Sequence, residues 1–229
     1  MCGVFGFASK NGKGPDLDRL TAIARDMEQR GPHAFGFAWI DITGRVHSFK
    51  QTGRITENLG VLRFAANARL LIGHCRYATH GDPRFNINNH PHPVNGGWLV
   101  HNGTIRNHAT LIEQYDLLPS SHCDSEVLGL LMEQSPGDCM QRLIRAASLS
   151  KTGPMVVLAL WPKRMYALRS GNPLYLADAQ DAFYLGSLDG RLPAGAFKIR
   201  DDSLLEFCVK GDHIKLTAFD VADSFLTTT

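Results

Sequence analysis

The sequence predicts an α+β fold of mainly antiparallel strands, and three observations carry that prediction. Strand-like runs gather at both ends of the chain. Segments with helical periodicity gather in the middle. Short turn signals suited to hairpins separate several of the strands. No internal repeat, low-complexity tract or linker interrupts the 229 residues, so one domain spanning 1–229 is expected.

The elements follow in order. Val4 to Ala8 is an apolar run that reads as a buried strand. Asp16 to Arg30 reads as an amphipathic helix with Leu17, Leu20, Ile23, Ala24 and Met27 on one face. Pro15 and Asp16 suit its start, and Gly31-Pro32 its stop. Phe35 to Ile40 and Val46 to Phe49 read as strands joined through Thr43-Gly44. A helix is expected from about Glu57 to Asn67, then a strand from Leu70 to Tyr77. Asp82 to Gly97, rich in proline and asparagine, reads as a long ordered loop, a kind of segment that often carries function. A strand follows at Trp98 to His101, and helices at Asn107 to Tyr115, Ser125 to Gln134 and Asp138 to Ser148. Beyond Gly153 come short strands at Met155 to Trp161, Met165 to Arg169, Leu174 to Ala177, Phe183 to Leu185, Leu204 to Val209 and His213 to Ala218. Pro162-Lys163 and Gly211-Asp212 supply turns between them.

Composition narrows the function classes. The formal charge of +2, with no basic run, points to no nucleic-acid or membrane partner. No apolar stretch approaches the ~20 residues of a membrane span. Lys10, Lys13 and Asp16 interrupt the N-terminal apolar segment, unlike a secretory signal. Cys2, Cys75, Cys123, Cys139 and Cys208 are odd in number and widely spaced, without a C-x-x-C pair. A disulfide framework is therefore not expected, and a reducing, cytoplasmic setting is. Four of the five cysteines read as small buried apolar residues.

Cys2 reads differently. Small side chains at position 2 permit removal of Met1, which would leave the Cys2 thiol and a free α-amine on one residue. Four polar-rich stretches lie further on: Arg30 to Gly36, Gly73 to Gly81, His101 to His108 and Cys123 to Glu126. Each has a structural explanation taken alone. Arg76 suits a strand surface, Asn102-Gly103 a simple turn, and Asp124 the cap of the following helix. Together they describe a ligand. The Asn102 amide and the Gly103 N–H can converge as an oxyanion hole. Arg76 offers a fork for a carboxylate and Asp124 a charge for an ammonium, which makes an α-amino acid.

These blocks, C-G-V-F-G, R-G-x-x-x-x-G, G-H-x-R-Y-A-T-H-G, N-x-H-P-H, H-N-G-T-I-x-N-H and D-S-E, resemble in order those of class II glutamine amidotransferases, within the N-terminal-nucleophile hydrolases. The resemblance runs from Cys2 to about Glu126 and is nearest to the glutaminase parts of glucosamine-6-phosphate synthase and amidophosphoribosyltransferase. It implies a four-layer αββα sandwich of two mainly antiparallel sheets with the site at their edge. It implies Cys2 as nucleophile and its α-amine as proton acceptor, with Asn102 and Gly103 stabilising the oxyanion. Arg76 would hold the glutamine α-carboxylate, Asp124 the α-ammonium, and Thr79 and His80 would line the pocket. No cofactor is implied. His33 departs from the family's usual acidic residue and Cys75 from its usual threonine. Relatives usually carry a synthase domain after the glutaminase, so a separate synthase subunit receiving the ammonia is the expected partner.

An N-terminal cysteine has a physical rationale in such a site. A free thiol near pKa 8.5 is only about 3% thiolate at pH 7. An α-amine near pKa 7.7–8.0 is roughly one-tenth neutral there and can accept its proton, unlike a lysine amine. Two other readings keep the fold: an amidase for another γ-glutamyl amide, and a silent regulatory protein with Met1 retained. A metal reading draws on His74, Cys75, His80, His90, His92 and His101. Strand alternation sends His74 and Cys75 to opposite faces, and no zinc spacing is present, so no metal is expected. For His90 and His92 the plain alternative is loop packing beside Pro91 and Pro93.

Overall fold

The computed structural model describes residues 1–225. Two antiparallel sheets lie face to face with helices outside each. The seven-stranded sheet contains β1 (Gly3–Ser9), β2 (Ala34–Asp41), β3 (Val46–Thr52), β4 (Ala68–Arg76), β9 (Tyr175–Asp178), β10 (Ala182–Gly186) and β11 (Phe197–Lys198). Its order is β11-β9-β10-β1-β4-β2-β3. The six-stranded sheet contains β5 (His92–Val94), β6 (Gly97–Asn102), β7 (Met155–Trp161), β8 (Arg164–Ser170), β12 (Ser203–Lys210) and β13 (His213–Asp220). Its order is β13-β12-β8-β7-β6-β5.

Strand alternation explains the layering. Val4 and Ala8 of β1 meet Val156, Leu158 and Leu160 of β7 in a core between the sheets. Phe5 and Phe7 point the other way, against α1 (Leu17–Glu28). Val157 and Ala159 likewise pack under α3 (Glu126–Gln134) and α4 (Cys139–Ser150). A strand covered on both faces needs no polar alternation, which is why β1, β2 and β7 read as continuous apolar runs. The α1 helix starts where expected, with the Asp16 carboxylate accepting from the N–H groups of Asp18 and Arg19.

Several expectations are corrected. Residues 57–67 are not an α-helix but part of two 3-10 segments, Ile55–Glu57 and Leu59–Ala65. Gly60 weakens an α-helix there. Leu62 and Ala65 meet the core at the three-residue spacing of a 3-10 turn. The 82–97 segment is not loop throughout, since it holds a 3-10 turn, Asn86–Asn88, and the edge strand β5. Pro93 is tolerated in β5 because an edge strand has one side without a ladder. β11 and the 3-10 turn Ala222–Phe225 lacked a sequence signal. Cys139 is half-buried, whereas Cys75, Cys123 and Cys208 are buried as expected. No helix among the described residues is long and apolar enough to cross a membrane.

Candidate active site

Register brings the first two predicted residues together. In the antiparallel β1–β4 pair Gly3 lies opposite Cys75, so Cys2 and Arg76 are neighbours at the end of the ladder. The Cys2 Sγ accepts from the Tyr77 N–H at 3.3 Å and lies 3.5 Å from the Tyr77 carbonyl oxygen. Burial pushes the thiol above its ordinary pKa, while the Tyr77 N–H, the terminal ammonium and Arg76 pull it partly back. A resting thiol of this kind needs a base before it can attack. Met1 precedes it, 70% exposed, so the route for removing that residue is open to solvent.

The neighbouring sheet contributes the other half. His74 Nε2–H donates to the His101 carbonyl at 3.0 Å, tying β4 of one sheet to β6 of the other. At the end of β6 lie Asn102 and Gly103, and with Cys2, Tyr77, Thr79 and Asn172 they line a cleft of about 280 Å³. A Cβ on Gly103 would stand 2.5 Å from His101 Nε2 and 2.9 Å from the Pro154 carbonyl, so only glycine fits that corner. The Asn102 side chain is 1% exposed and its Nδ2 has no hydrogen-bond partner among the described residues. A buried amide donor left unpaired is costly unless a ligand or water completes it.

Arg76 and Asp124 lie deeper. The Arg76 guanidinium donates to Asn89 Oδ1 at 2.9 Å, to the Gly81 carbonyl at 3.1 Å and to the His80 carbonyl. The 77–81 loop is thus folded back onto Arg76, a use of the fork that the sequence did not show. The Asp124 Oδ2 accepts from the Ile105 N–H at 2.6 Å. It therefore braces the loop after Gly103, and no side chain caps α3. Its Oδ1 faces His80 Nδ1 at 3.9 Å. Thr79 and His80 lie on the same loop, with Thr79 in the cleft wall and His80 against Asp124.

Four supporting residues were given no role by the sequence reading. Arg30 Nε–H donates to the Cys2 carbonyl at 2.8 Å, fixing the backbone behind the thiol. His33 Nδ1 accepts from the Ala78 N–H at 3.0 Å and its ring lies against Tyr77, so the departure at position 33 serves to hold the loop. Asn172 Nδ2 donates to the Asn102 carbonyl at 2.9 Å, from a part of the chain without a motif. Burial pushes the Glu126 carboxyl up, but bonds from Ser120 and Ser121 outweigh it and hold the group below its ordinary range. Arg30, His33 and Glu126 fall inside the quoted motifs, which is the signal that could have found them. For Asn172 there was none.

No family model matches the chain. The glutamine–fructose-6-phosphate aminotransferase of Aeropyrum pernix is 34% identical over 187 residues, covering 76% of this chain and 30% of that protein. Its counterpart in Caulobacter vibrioides is 31% identical over 226 residues, covering 94% of this chain and 35% of that one. The structure of glutamine phosphoribosylpyrophosphate amidotransferase from B. subtilis superposes with a TM-score of 0.75 at 24% identity, over 94% of this chain and 49% of that one. A class-II glutamine aminotransferase domain protein from Silicibacter pomeroyi gives 0.66 at 17% identity, over 96% of this chain and 100% of that one. The chain thus spans about a third of the length of the curated relatives it matches. The sandwich is that of the N-terminal-nucleophile hydrolases. Within them, the chain belongs to the class II glutamine amidotransferases.

Proposed function

We propose that the chain is one glutaminase domain, which hydrolyses L-glutamine to glutamate and ammonia through a γ-glutamyl thioester on Cys2. The observation that carries this reading is the unpartnered Asn102 Nδ2, buried in the wall of the cleft that holds the Cys2 thiol. Removal of Met1 frees the Cys2 α-amine, which takes the thiol proton. The thiolate attacks the side-chain amide carbon, and the oxygen gathers negative charge against Asn102 Nδ2–H and the Gly103 N–H. As the C–N bond breaks, the amine returns its proton to the leaving ammonia. Water then attacks the thioester, glutamate leaves and the thiol is restored. Arg76 takes the α-carboxylate through donors not committed to the loop; its Nε has no partner among the described residues. Asp124 Oδ1 takes the α-ammonium, with Thr79 and His80 closing the pocket over it.

Ammonia from this cleft goes to a synthase active site. An amino-transfer role is supported by the likeness to the glutamine–fructose-6-phosphate aminotransferase of Aeropyrum pernix. The test is hydrolysis of glutamine by the purified chain, with one adduct from the glutamine-like electrophile diazo-oxo-norleucine. Adduct mapping to Cys2 supports the reading. Mapping to Cys75 or Cys123 contradicts it.

A further inference from the structure

His90, His92 and Cys123 take no part in the chemistry above, yet the fold gathers them. His90 and His92 flank Pro91 at the start of β5, and Cys123 comes from the turn before α3, 31 residues further along the chain. One ring nitrogen from each histidine and the Cys123 Sγ all lie within 4.8 Å of one another. All three residues are buried. Neither nitrogen of His90 nor Nε2 of His92 has a hydrogen-bond partner among the described residues. The two rings meet edge to face, 4.7 Å between centroids. Buried polar atoms are almost always paired, so three unpartnered ring nitrogens on two histidines beside a thiol, one from each ring within reach of the sulfur, call for an explanation.

We propose that His90, His92 and Cys123 form a binding site for a thiophilic divalent metal ion of the zinc type. Imidazole nitrogen and thiolate sulfur are the donors such ions prefer, while magnesium and calcium require oxygen. Metal–ligand bonds of about 2.0–2.3 Å set tetrahedral edges near 3.3–3.8 Å, so donors within 4.8 Å of one another need to close by up to about 1.5 Å. Burial keeps both histidines neutral, ready to ligate, and pushes the Cys123 thiol up to about 11, so the ion must displace one proton. Arg76 Nη2, 3.9 Å from the sulfur, favours the resulting thiolate. The charges facing the site balance: Arg76 and Lys50 oppose a dication, while Asp124 and Glu126 favour it. Bound there, the ion staples the 82–97 segment to the turn that carries Asp124.

The test is cobalt(II) and zinc(II) binding to the full chain carrying Cys2→Ala, which removes the competing terminal thiol. One equivalent of cobalt should give a thiolate-to-cobalt charge-transfer band. Zinc should displace it and raise the melting temperature. Adding Cys123→Ser or His92→Gln should abolish the band and weaken zinc binding by more than about 100-fold, the upper cost of losing even an outer-sphere partner. X-ray absorption of the zinc-loaded Cys2→Ala chain should show one sulfur and two imidazole nitrogens, a readout that holds even if a ligand variant does not fold. Absence of stoichiometric binding, a band that survives Cys123→Ser, or a shell without sulfur overturns the proposal. None of these readouts depends on glutamine hydrolysis.

Discussion

Replacing Asn102 with alanine separates catalysis from stability. The Asn102 side chain is buried, and its Nδ2 donates to nothing among the described residues. The mutation therefore breaks no protein hydrogen bond through that atom and removes an unpaired donor whose burial costs about 1–3 kcal/mol. The backbone carbonyl that accepts from Asn172 is unaffected. Folding stability should consequently change little, with truncation of a small buried side chain offset by relief of the orphan. In the transition state the same atom meets a developing oxyanion. Loss of one such donor typically lowers kcat by about 10²–10³-fold, or 2.7–4 kcal/mol. The assay is glutamate release under saturating glutamine, with KM and a thermal melt measured on the same preparation. Asn102→Ala should lose kcat, keep KM within a few-fold and melt close to the parent. A rise in KM with kcat preserved would refute the oxyanion role, and collapse of the fold would refute the stability reasoning.

Other substitutions read other parts of the site. Arg76→Lys should chiefly raise KM, because an ammonium cannot reproduce the fork that holds Asn89 and the 80–81 carbonyls while presenting donors to a carboxylate; an effect on kcat alone would contradict this. Gly103→Ala should lose activity and stability together, since its Cβ has no space beside His101 Nε2 and the Pro154 carbonyl, and a fully active variant would show that the corner can open. Acid should destabilise the fold in the metal-free chain. Burial holds His92 down to about 3 and His101 down to about 4, against about 6.5 when unfolded. The unfolded chain therefore binds more protons, so stability is fully present above pH 6.5 and falls toward pH 4. Each such histidine contributes about 1.4 kcal/mol per pH unit in that window. Denaturant melts at pH 7, 6 and 5 in the presence of chelator check this, and a flat profile contradicts it.

Local pattern was enough where it coincided with packing. The α1 helix carried its cap and its apolar stripe in the sequence, and β1, β2 and β7 carried continuous apolar runs because both their faces are covered. The pair of 3-10 segments was not legible, because a helical stripe interrupted by Gly60 looks alike in either period over so few turns. At the site, order along the chain indicated which residues meet but not what else they hold. Arg76 and Asp124 both brace loops through backbone groups, and backbone partners leave no side-chain signature. Asn172 reaches Asn102 across 70 positions of chain, and Cys123, just before α3, reaches His90 and His92 because α3 packs on β5. Such meetings are properties of the sandwich, and spacing arguments along the sequence do not contain them.

The central claim is that Cys2 acts with its own α-amine as the base. Any residue left in front of Cys2 turns that amine into a non-basic amide and crowds the cleft that Met1 already lines. The direct measurement is glutaminase activity of two homogeneous preparations, one retaining Met1 and one beginning at Cys2, each verified by intact mass. Both should fold alike, and only the chain beginning at Cys2 should hydrolyse glutamine. Equal activity in the preparation that retains Met1 would contradict the mechanism.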